Sequence, residues 1–260
     1  MRVTDQDLAR LNERFREAEP LAILRFVQEA CRDRAAILCS MQRADTALCH
    51  LADRAGLGLD VLFVDTGVLH AETLATRDAL AASHPNLRVV TRSPQRTFAE
   101  QTAAEGVLYL TKEGQEQCCD LRKSAPLRPL RGRYDALLVP IRRDEGGSRR
   151  DIQAFGLDPE MNALRVHPFA WLTRARLDAY LAEHAGPGGV VLNPLHALGF
   201  PTIGCWPCTT PVLPDEPERA GRWRHLAGVQ YCGINPGDRG DEGAEVPSID
   251  LPDCYAPLFA

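Results

Sequence analysis

Short apolar runs alternate with longer amphipathic stretches over the first half of the chain. Four runs have the length and aliphatic content of buried strands, at 35–39, 61–64, 87–91 and 136–139. The first is followed by a helical pattern that ends near Leu51, and the second by one from about Glu72 to Ala82. Strands that alternate with helices in this way predict an α/β fold, with a mostly parallel central sheet flanked by helices.

Two further helices are predicted before the first strand. Thr4 is a suitable N-cap for an amphipathic helix that runs to about Arg16, and Pro20 is placed to open the second. The tail after Cys208 departs from the α/β pattern, because it is rich in glycine and proline. We therefore predict a nucleotide-binding α/β domain over residues 1–214 and a mobile C-terminal segment over 215–260.

The composition is that of an ordinary globular chain of 260 residues, with 45% hydrophobic and 25% charged residues. A net charge of −5 gives no reason to expect nucleic-acid binding. The first residues lack the apolar core of a signal peptide, and no apolar run approaches the length of a membrane span. These features predict a cytoplasmic protein without membrane contact.

Nine cysteines in such a compartment indicate metal or redox chemistry rather than a disulfide scaffold. Two pairs stand out: the adjacent Cys118 and Cys119, and the pair Cys205 and Cys208 in a turn with Gly and Pro. Four thiolates are the ligand set of a 4Fe–4S cluster or of an all-cysteine zinc site. Because adjacent cysteines cannot easily direct both sulfurs to one ion, the spacing favours the cluster over zinc.

Polar loops follow three of the predicted strands, where parallel sheets bind their ligands. Residues 39–45 form a loop at a helix N-terminus, where free backbone N–H groups and the hydroxyl of Ser40 would attract an anion. Asp65, Thr66 and Gly67 follow the second strand. The third loop, 141–150, carries four arginines and could clamp a phosphate or sulfate. Each loop alone could be only a solvated turn.

Several separated blocks, in the right order, resemble the assimilatory sulfonucleotide reductases, specifically the cluster-containing adenylylsulfate (APS) reductases. The resemblance covers roughly 35–235 and is most specific in the two cysteine pairs with their neighbours, 117–123 and 204–212. Residues 64–73 and 142–144 are similar to two substrate-binding blocks of the family, and 39–45 is a looser match to its phosphate loop. The fold implied is Rossmann-like, of the adenine nucleotide alpha hydrolase type.

The resemblance implies a reaction in assimilatory sulfate reduction and cysteine biosynthesis. A tail cysteine, by position Cys232, would attack the sulfur of APS, expel AMP and carry the sulfonate until thioredoxin or a similar dithiol releases sulfite. Cys118, Cys119, Cys205 and Cys208 would hold a 4Fe–4S cluster. The residues implied in substrate binding are Ser40, Asp65, Thr66, Gly67, Lys123, Arg143, Arg219 and Arg222.

The chain departs from the family pattern at two places. The usual tail Glu-Cys-Gly-Leu/Ile-His reads Tyr231-Cys232-Gly233-Ile234-Asn235, and the usual loop Gly-Ala-Glu-Asp reads Gln42-Arg43-Ala44-Asp45. Three alternatives therefore stay open: reduction of the 3′-phosphorylated substrate (PAPS), an ATP-using enzyme on the same fold, and a cluster-bearing sensor without catalysis. The loop lacks the two glycines typical of ATP-using relatives, which disfavours the second.

The sequence leaves three other points open. It does not identify the reductant, and it leaves homo-oligomerisation undecided. Cys254, near the C-terminus, could resolve the adduct, although an idle exposed thiol is the simpler interpretation.

Overall fold

The computed structural model describes residues 1–226 and 248–259. Six strands of the described part form a central sheet, and two short terminal strands form a second one. The strands are β1 (Arg2–Thr4), β2 (Ala35–Leu38), β3 (Asp60–Val64), β4 (Arg88–Arg92), β5 (Ala136–Leu138), β6 (Phe155–Asp158), β7 (Ala163–Val166) and β8 (Ser248–Asp250).

The central sheet has the order β4-β3-β2-β5-β7-β6. Every neighbouring pair is parallel except the edge pair of β6 and β7, which is antiparallel. The predicted α/β fold with a mostly parallel sheet is therefore confirmed. The sequence pattern missed β6 and β7, which extend the sheet by two strands.

Seven α-helices occur in the described residues. They are α1 (Asp5–Arg14), α2 (Pro20–Cys31), α3 (Arg43–Arg54), α4 (Ala71–Ser83), α5 (Phe98–Glu105), α6 (Lys112–Cys119) and α7 (Arg174–Glu183). Thr4 is the N-cap of α1, and its backbone N–H donates to Asp7 at 2.7 Å. Pro20 is the first residue of α2, as predicted.

Both faces of the central sheet are covered. Ile37 and Phe63 belong to the larger apolar cluster, which contains residues of α1, α2 and α3. Their chain neighbours Leu38 and Leu62 belong to a second cluster on the opposite face. Because strands buried on both faces need apolar residues at every position, they give the continuous apolar runs from which they were predicted.

The C-terminal residues that the structure describes lie at the amino edge of the central sheet. Strand β8 pairs with β1, and the N-terminal ammonium group forms an ion pair with Asp253 at 2.8 Å. The hydroxyl of Tyr255 donates to Asp135, the residue just before β5, at 2.6 Å. The division of the chain at residue 214 and the mobility of the tail stay predictions. Within the described ranges, no helix is long and apolar enough to cross a bilayer.

A cluster of histidines packs between α3, α4 and α7. His50 is 3% exposed, its Nδ1 lies 2.8 Å from the hydroxyl of Tyr180, and its ring contacts those of His84 and His184. Burial, and then the neighbouring His184 and His84, lowers the pKa of His50 to about 4. The cluster therefore disfavours protonation in the folded state.

We expect this cluster to make the fold sensitive to acid. Between the unfolded pKa of 6.5 and the folded pKa of about 4, the unfolded chain binds more protons. The free energy of unfolding therefore falls as the pH falls through this range, by up to about 1.4 kcal/mol per pH unit for one such group. Urea unfolding gives the free energy of unfolding at pH 7.5 and at pH 5. The fall in this free energy between the two pH values should be smaller in His50→Gln than in the wild type, by about 1 kcal/mol.

The exposed His225 provides the matched control for this prediction. A His225→Gln variant removes a histidine outside the cluster and shows whether the effect is specific to His50. Equal dependence in His50→Gln and the wild type would contradict the assignment to His50.

Candidate active site

A cleft with a volume of about 650 Å³ opens at the carboxyl edge of the central sheet. The segments after β2, β3 and β5 contribute to its wall, as expected for a parallel sheet. The predicted binding residues that line it are Ser40, Thr66, Lys123, Arg219 and Arg222. Further cations in the lining are Arg43, Arg142, Arg149 and Arg174. The cleft therefore suits an anionic ligand with an apolar part, since Leu38, Val64 and Val139 also line it.

The loop between β2 and α3 does not offer the free N–H groups that the sequence suggested. The carboxylate of Asp45 accepts hydrogen bonds from the backbone N–H groups of Ser40 and Gln42, at 2.8 and 3.2 Å, and from the Ser40 hydroxyl at 2.6 Å. The N–H group of Arg43 donates to His196 instead. That part of the anion-site prediction is therefore wrong, because the chain fills the site with its own carboxylate.

Asp65 and Gly67 shape a turn and are not part of the cleft lining. The N–H group of Gly67 donates to the carboxylate of Asp65 at 2.8 Å, and the φ angle of Gly67 is +72°. A Cβ atom at Gly67 would lie 3.0 Å from the guanidinium of Arg122. Glycine therefore satisfies both the left-handed backbone and the close approach of Arg122. Thr66, between them, does line the cleft.

In the arginine loop, Arg142 lines the cleft and Arg143 does not. The guanidinium of Arg143 stacks 4.2 Å from the ring centre of Trp171, and its Nε donates to the carbonyl of Arg150. Arg142 is buried and forms an ion pair with Asp144 at 2.9 Å. The loop therefore presents a neighbouring arginine to the cleft, with a carboxylate beside it.

The four paired cysteines are brought together, although 85 residues separate the two pairs. A small cavity next to the cleft is lined by Cys118, Cys119, Cys205 and Cys208. Lys123 and Cys205 line both the cavity and the cleft. The cysteine cavity therefore adjoins the cleft directly.

Side-chain donors point to the sulfur atoms of this cavity. Gln115 donates to Cys119 at 3.0 Å, Gln101 to Cys118 at 3.5 Å, and the Lys123 ammonium to Cys119 at 3.5 Å. N–H donors of this kind stabilise thiolates rather than thiols. Burial raises the pKa of Cys118, and raises that of Cys208 to about 12 with the neighbouring cysteines adding to the shift.

Within residues 1–226 and 248–259, no group of three or more His, Cys, Asp or Glu side chains is arranged to hold a single metal ion. A four-iron cluster binds each thiolate through a separate iron, so it does not need such an arrangement. Four cysteines that line one cavity are the donor set of an iron–sulfur cluster or of an all-cysteine zinc site.

A π-helical turn over Asp120–Ser124 follows α6 and carries two buried cations. Arg122 donates to the carbonyl of Thr66 at 2.6 Å and to the side chain of Gln101 at 2.9 Å. Lys123, the next residue, faces the cysteine cavity. The turn therefore ties the first cysteine pair to the segment after β3.

The second cysteine pair is held by the residues that begin the tail. The N–H group of Trp223 donates to the carbonyl of Cys208 at 2.9 Å, and Arg222 donates to the carbonyl of Ile203 at 3.3 Å. A Cβ atom at Gly204 would lie 2.5 Å from the guanidinium of Arg222. A side chain at this position would therefore displace the guanidinium of Arg222 from its place beside the pair.

The predicted nucleophile Cys232, and its neighbours Tyr231 and Asn235, lie outside the described residues. Cys254 is described and exposed. It lies beside Tyr255 and Asp253, at the amino edge of the sheet, and it lines neither cavity. This placement agrees with the interpretation of Cys254 as an idle thiol.

Sequence reasoning missed several residues of the site because their contacts are distant in the chain. The side chain of Gln42 accepts from the N–H group of Ile203 at 2.9 Å. His196 accepts from Arg43 N–H at 3.2 Å through Nε2, and its Nδ1 lies 2.8 Å from the carbonyl of Phe200. No local pattern could have paired positions more than 150 residues apart.

The phosphoadenosine phosphosulfate reductase domain matches residues 34–211, which is more than half of the chain. The chain belongs to the phosphoadenosine phosphosulfate reductase family. The family resemblance predicted from the cysteine pairs is thereby confirmed.

Two proteins similar to this chain are adenosine 5′-phosphosulfate reductases. That of Streptomyces coelicolor is 37% identical over 89% of this chain and 96% of its own length. That of Mycolicibacterium smegmatis is 34% identical over the same shares. A solved structure, phosphoadenylyl-sulfate reductase from Candida auris, matches with a TM-score of 0.65 at 18% identity, over 80% of this chain and 98% of that one. At this identity the likeness supports the fold alone.

Proposed function

We propose that this protein reduces adenylylsulfate to sulfite and AMP, with a dithiol such as thioredoxin as the electron donor. The observation that carries the proposal is the junction of the cationic cleft and the cysteine cavity at Lys123 and Cys205. The two named relatives, which are reductases of this substrate, support it. A cytoplasmic location, where such dithiols occur, stays a prediction.

The reaction consists of three displacements at sulfur. The Cys232 thiolate attacks the sulfate sulfur, an S–S bond forms, and the bond to the phosphate oxygen breaks with release of AMP. One thiol of the dithiol then attacks the sulfur of Cys232, and sulfite leaves with the bonding electron pair. The second thiol attacks the resulting mixed disulfide, which closes the disulfide of the dithiol and returns the Cys232 thiolate. Sulfur(VI) is thus reduced to sulfur(IV) by the two electrons of the dithiol.

The cations of the cleft offset the charge of the substrate. APS carries a phosphate and a sulfate, and Arg219, Arg222 and Lys123 lie in the cleft lining. Fixed cations in a pocket shielded from water stabilise the charge that moves to the leaving phosphate oxygen. The apolar wall suits the adenine ring.

The cysteine cavity would hold the cluster through Cys118, Cys119, Cys205 and Cys208. When bound, the cluster supplies structural cross-linking and electrostatic charge beside the cleft. Gln101, Gln115 and Lys123 already donate toward two of these sulfurs, which would orient and stabilise the ligating thiolates.

The length of chain between the cleft and Cys232 is compatible with this residue as the nucleophile. The last described residue before the tail is Leu226, and Arg222 and Trp223 line the two cavities. Six residues of extended chain span at most about 22 Å, and Arg222, four residues before Leu226, lines the cleft.

Intact-protein mass spectrometry tests the proposal directly. Anaerobic mixing with APS, without a dithiol, should add one SO₃ group to the protein, map it to Cys232, and release it as sulfite when the dithiol is added. The reaction should be repeated with PAPS to compare the two substrates. Bound nucleotide without any SO₃ adduct from either compound would contradict a reductase function.

A further inference from the structure

The side-chain amide of Gln42 bridges two segments of the site. Its oxygen accepts a hydrogen bond from the backbone N–H group of Ile203 at 2.9 Å, and its nitrogen donates to the hydroxyl of Ser40 at 3.1 Å. The first segment is the loop after β2, which lines the cleft. The second leads directly into the cysteine pair that begins at Cys205.

The neighbours of this amide fix its orientation. A backbone N–H group can only donate, so the atom opposite Ile203 is the oxygen of Gln42. The Ser40 hydroxyl donates its proton to Asp45 at 2.6 Å, so it accepts from Gln42. The three donors, Ile203 N–H, the Gln42 amide and the Ser40 hydroxyl, therefore each have one acceptor. These hydrogen bonds hold the loop after β2 against the segment at Ile203.

The bridge continues beyond Ile203 into the rest of the site. The carbonyl of Ile203 accepts from Arg222 at 3.3 Å, and Arg222 lines the cleft. Gly204 lies against the guanidinium of Arg222, and Cys205 lies 3.2 Å from the hydroxyl of Thr66. Hydrogen bonds therefore connect the loop after β2 to Arg222 through Ile203, which lies two residues before Cys205 in the same segment.

We propose that Gln42 is a positioning residue that couples occupation of the cleft by an adenylyl nucleotide to the order of the segment Ile203–Cys205. A glycine, which stands at this position in the pattern that the loop otherwise resembles, has no side chain to accept and donate at once. The proposal rests on the proposed function only in its choice of AMP, the expected product, as the ligand.

Hydrogen exchange at the Ile203 amide tests this coupling without any reading of activity. In the wild type, AMP should slow exchange in the peptide that contains Ile203 by about tenfold, the effect of strengthening one hydrogen bond. In Gln42→Leu, which keeps the side-chain volume, exchange in the free protein should be about tenfold faster and should no longer respond to AMP.

A Gln42→Glu variant separates the two halves of the bridge. A carboxylate still accepts from Ile203 but cannot donate to Ser40. We expect wild-type protection of Ile203 together with a KM for APS raised about tenfold, since the Ser40 hydroxyl loses one partner and a negative charge enters the cleft. The matched control is Gln28→Leu on α2, outside the cleft lining, which should leave exchange at Ile203 unchanged.

Two results would overturn the coupling: wild-type protein in which AMP leaves exchange at Ile203 unchanged, or a folded Gln42→Leu variant with wild-type protection and response. Failure of the proposed function looks different. If the wild-type protein forms no sulfite, reduction of APS is refuted. If AMP still slows exchange at Ile203 in that protein, and this response is lost in Gln42→Leu, the coupling is retained.

Discussion

Replacing Cys232 with serine should lower the rate of sulfite release by at least about a thousandfold, because serine is not ionised at neutral pH and is a far weaker nucleophile toward sulfur. Binding of AMP and the iron content should stay at the wild-type values, since the substitution leaves the proposed cluster ligands and the described lining residues of the cleft unchanged. Steady-state sulfite release, with iron analysis of the same samples, measures both.

Cys254 offers the matched control for this substitution. Its exposed side chain lies at the amino edge of the sheet, opposite the cleft, so Cys254→Ser should keep full activity. A Cys232→Ser variant with wild-type activity would remove Cys232 from the mechanism. Loss of activity in Cys254→Ser alone would transfer the nucleophilic role to that residue.

Replacing Lys123 with alanine should slow formation of the SO₃ adduct by about a hundredfold or more. The Lys123 side chain lines both cavities, is 6% exposed, and has its ammonium 3.5 Å from the sulfur of Cys119. Removing a preorganised charge from a buried site of this kind costs about 3 kcal/mol of transition-state stabilisation. Single-turnover mixing with APS, followed by mass spectrometry, gives the rate.

Two variants test whether the slower adduct formation results from loss of the positive charge at this site. Lys123→Arg should recover part of the rate, and Lys112→Ala, an exposed lysine at the start of α6, should have no effect. Iron content should be unchanged in all three. An unaltered rate in Lys123→Ala would rule out a contribution of this cation to the chemistry.

Strands β2 and β3, which the sequence predicted, differ from β6 and β7, which it missed, in the residues that they carry. Strands β2 and β3 lie inside the sheet, and their apolar runs are visible without a partner. Strands β6 and β7 include the ion pair of Asp158 and Arg165, in which Asp158 has no exposed surface. A buried charge pair has the same sequence pattern as a solvated loop, so these strands could not be predicted locally.

The site shows the same division between local and long-range information. The cysteine pairs and the polar loops after the strands were predictable, because their spacing is local and their chemistry is specific. The choice of Arg142 over Arg143 depends on Trp171 stacking against one of two adjacent side chains. The occupation of the loop N–H groups by Asp45 required the folded geometry.

The π-helical turn after α6 makes chain length itself a determinant of this site. The N–H group of Ala125 bonds the carbonyl of Asp120, five residues back, so the turn holds one residue more than an α-helical turn would. Deleting one residue of this turn would leave α-helical spacing, in which each later residue takes the place of its neighbour. Relatives that differ by a single residue in this turn would thus present another side chain at the position of Lys123. Insertions and deletions, and not only substitutions, can therefore redirect the chemistry of this fold.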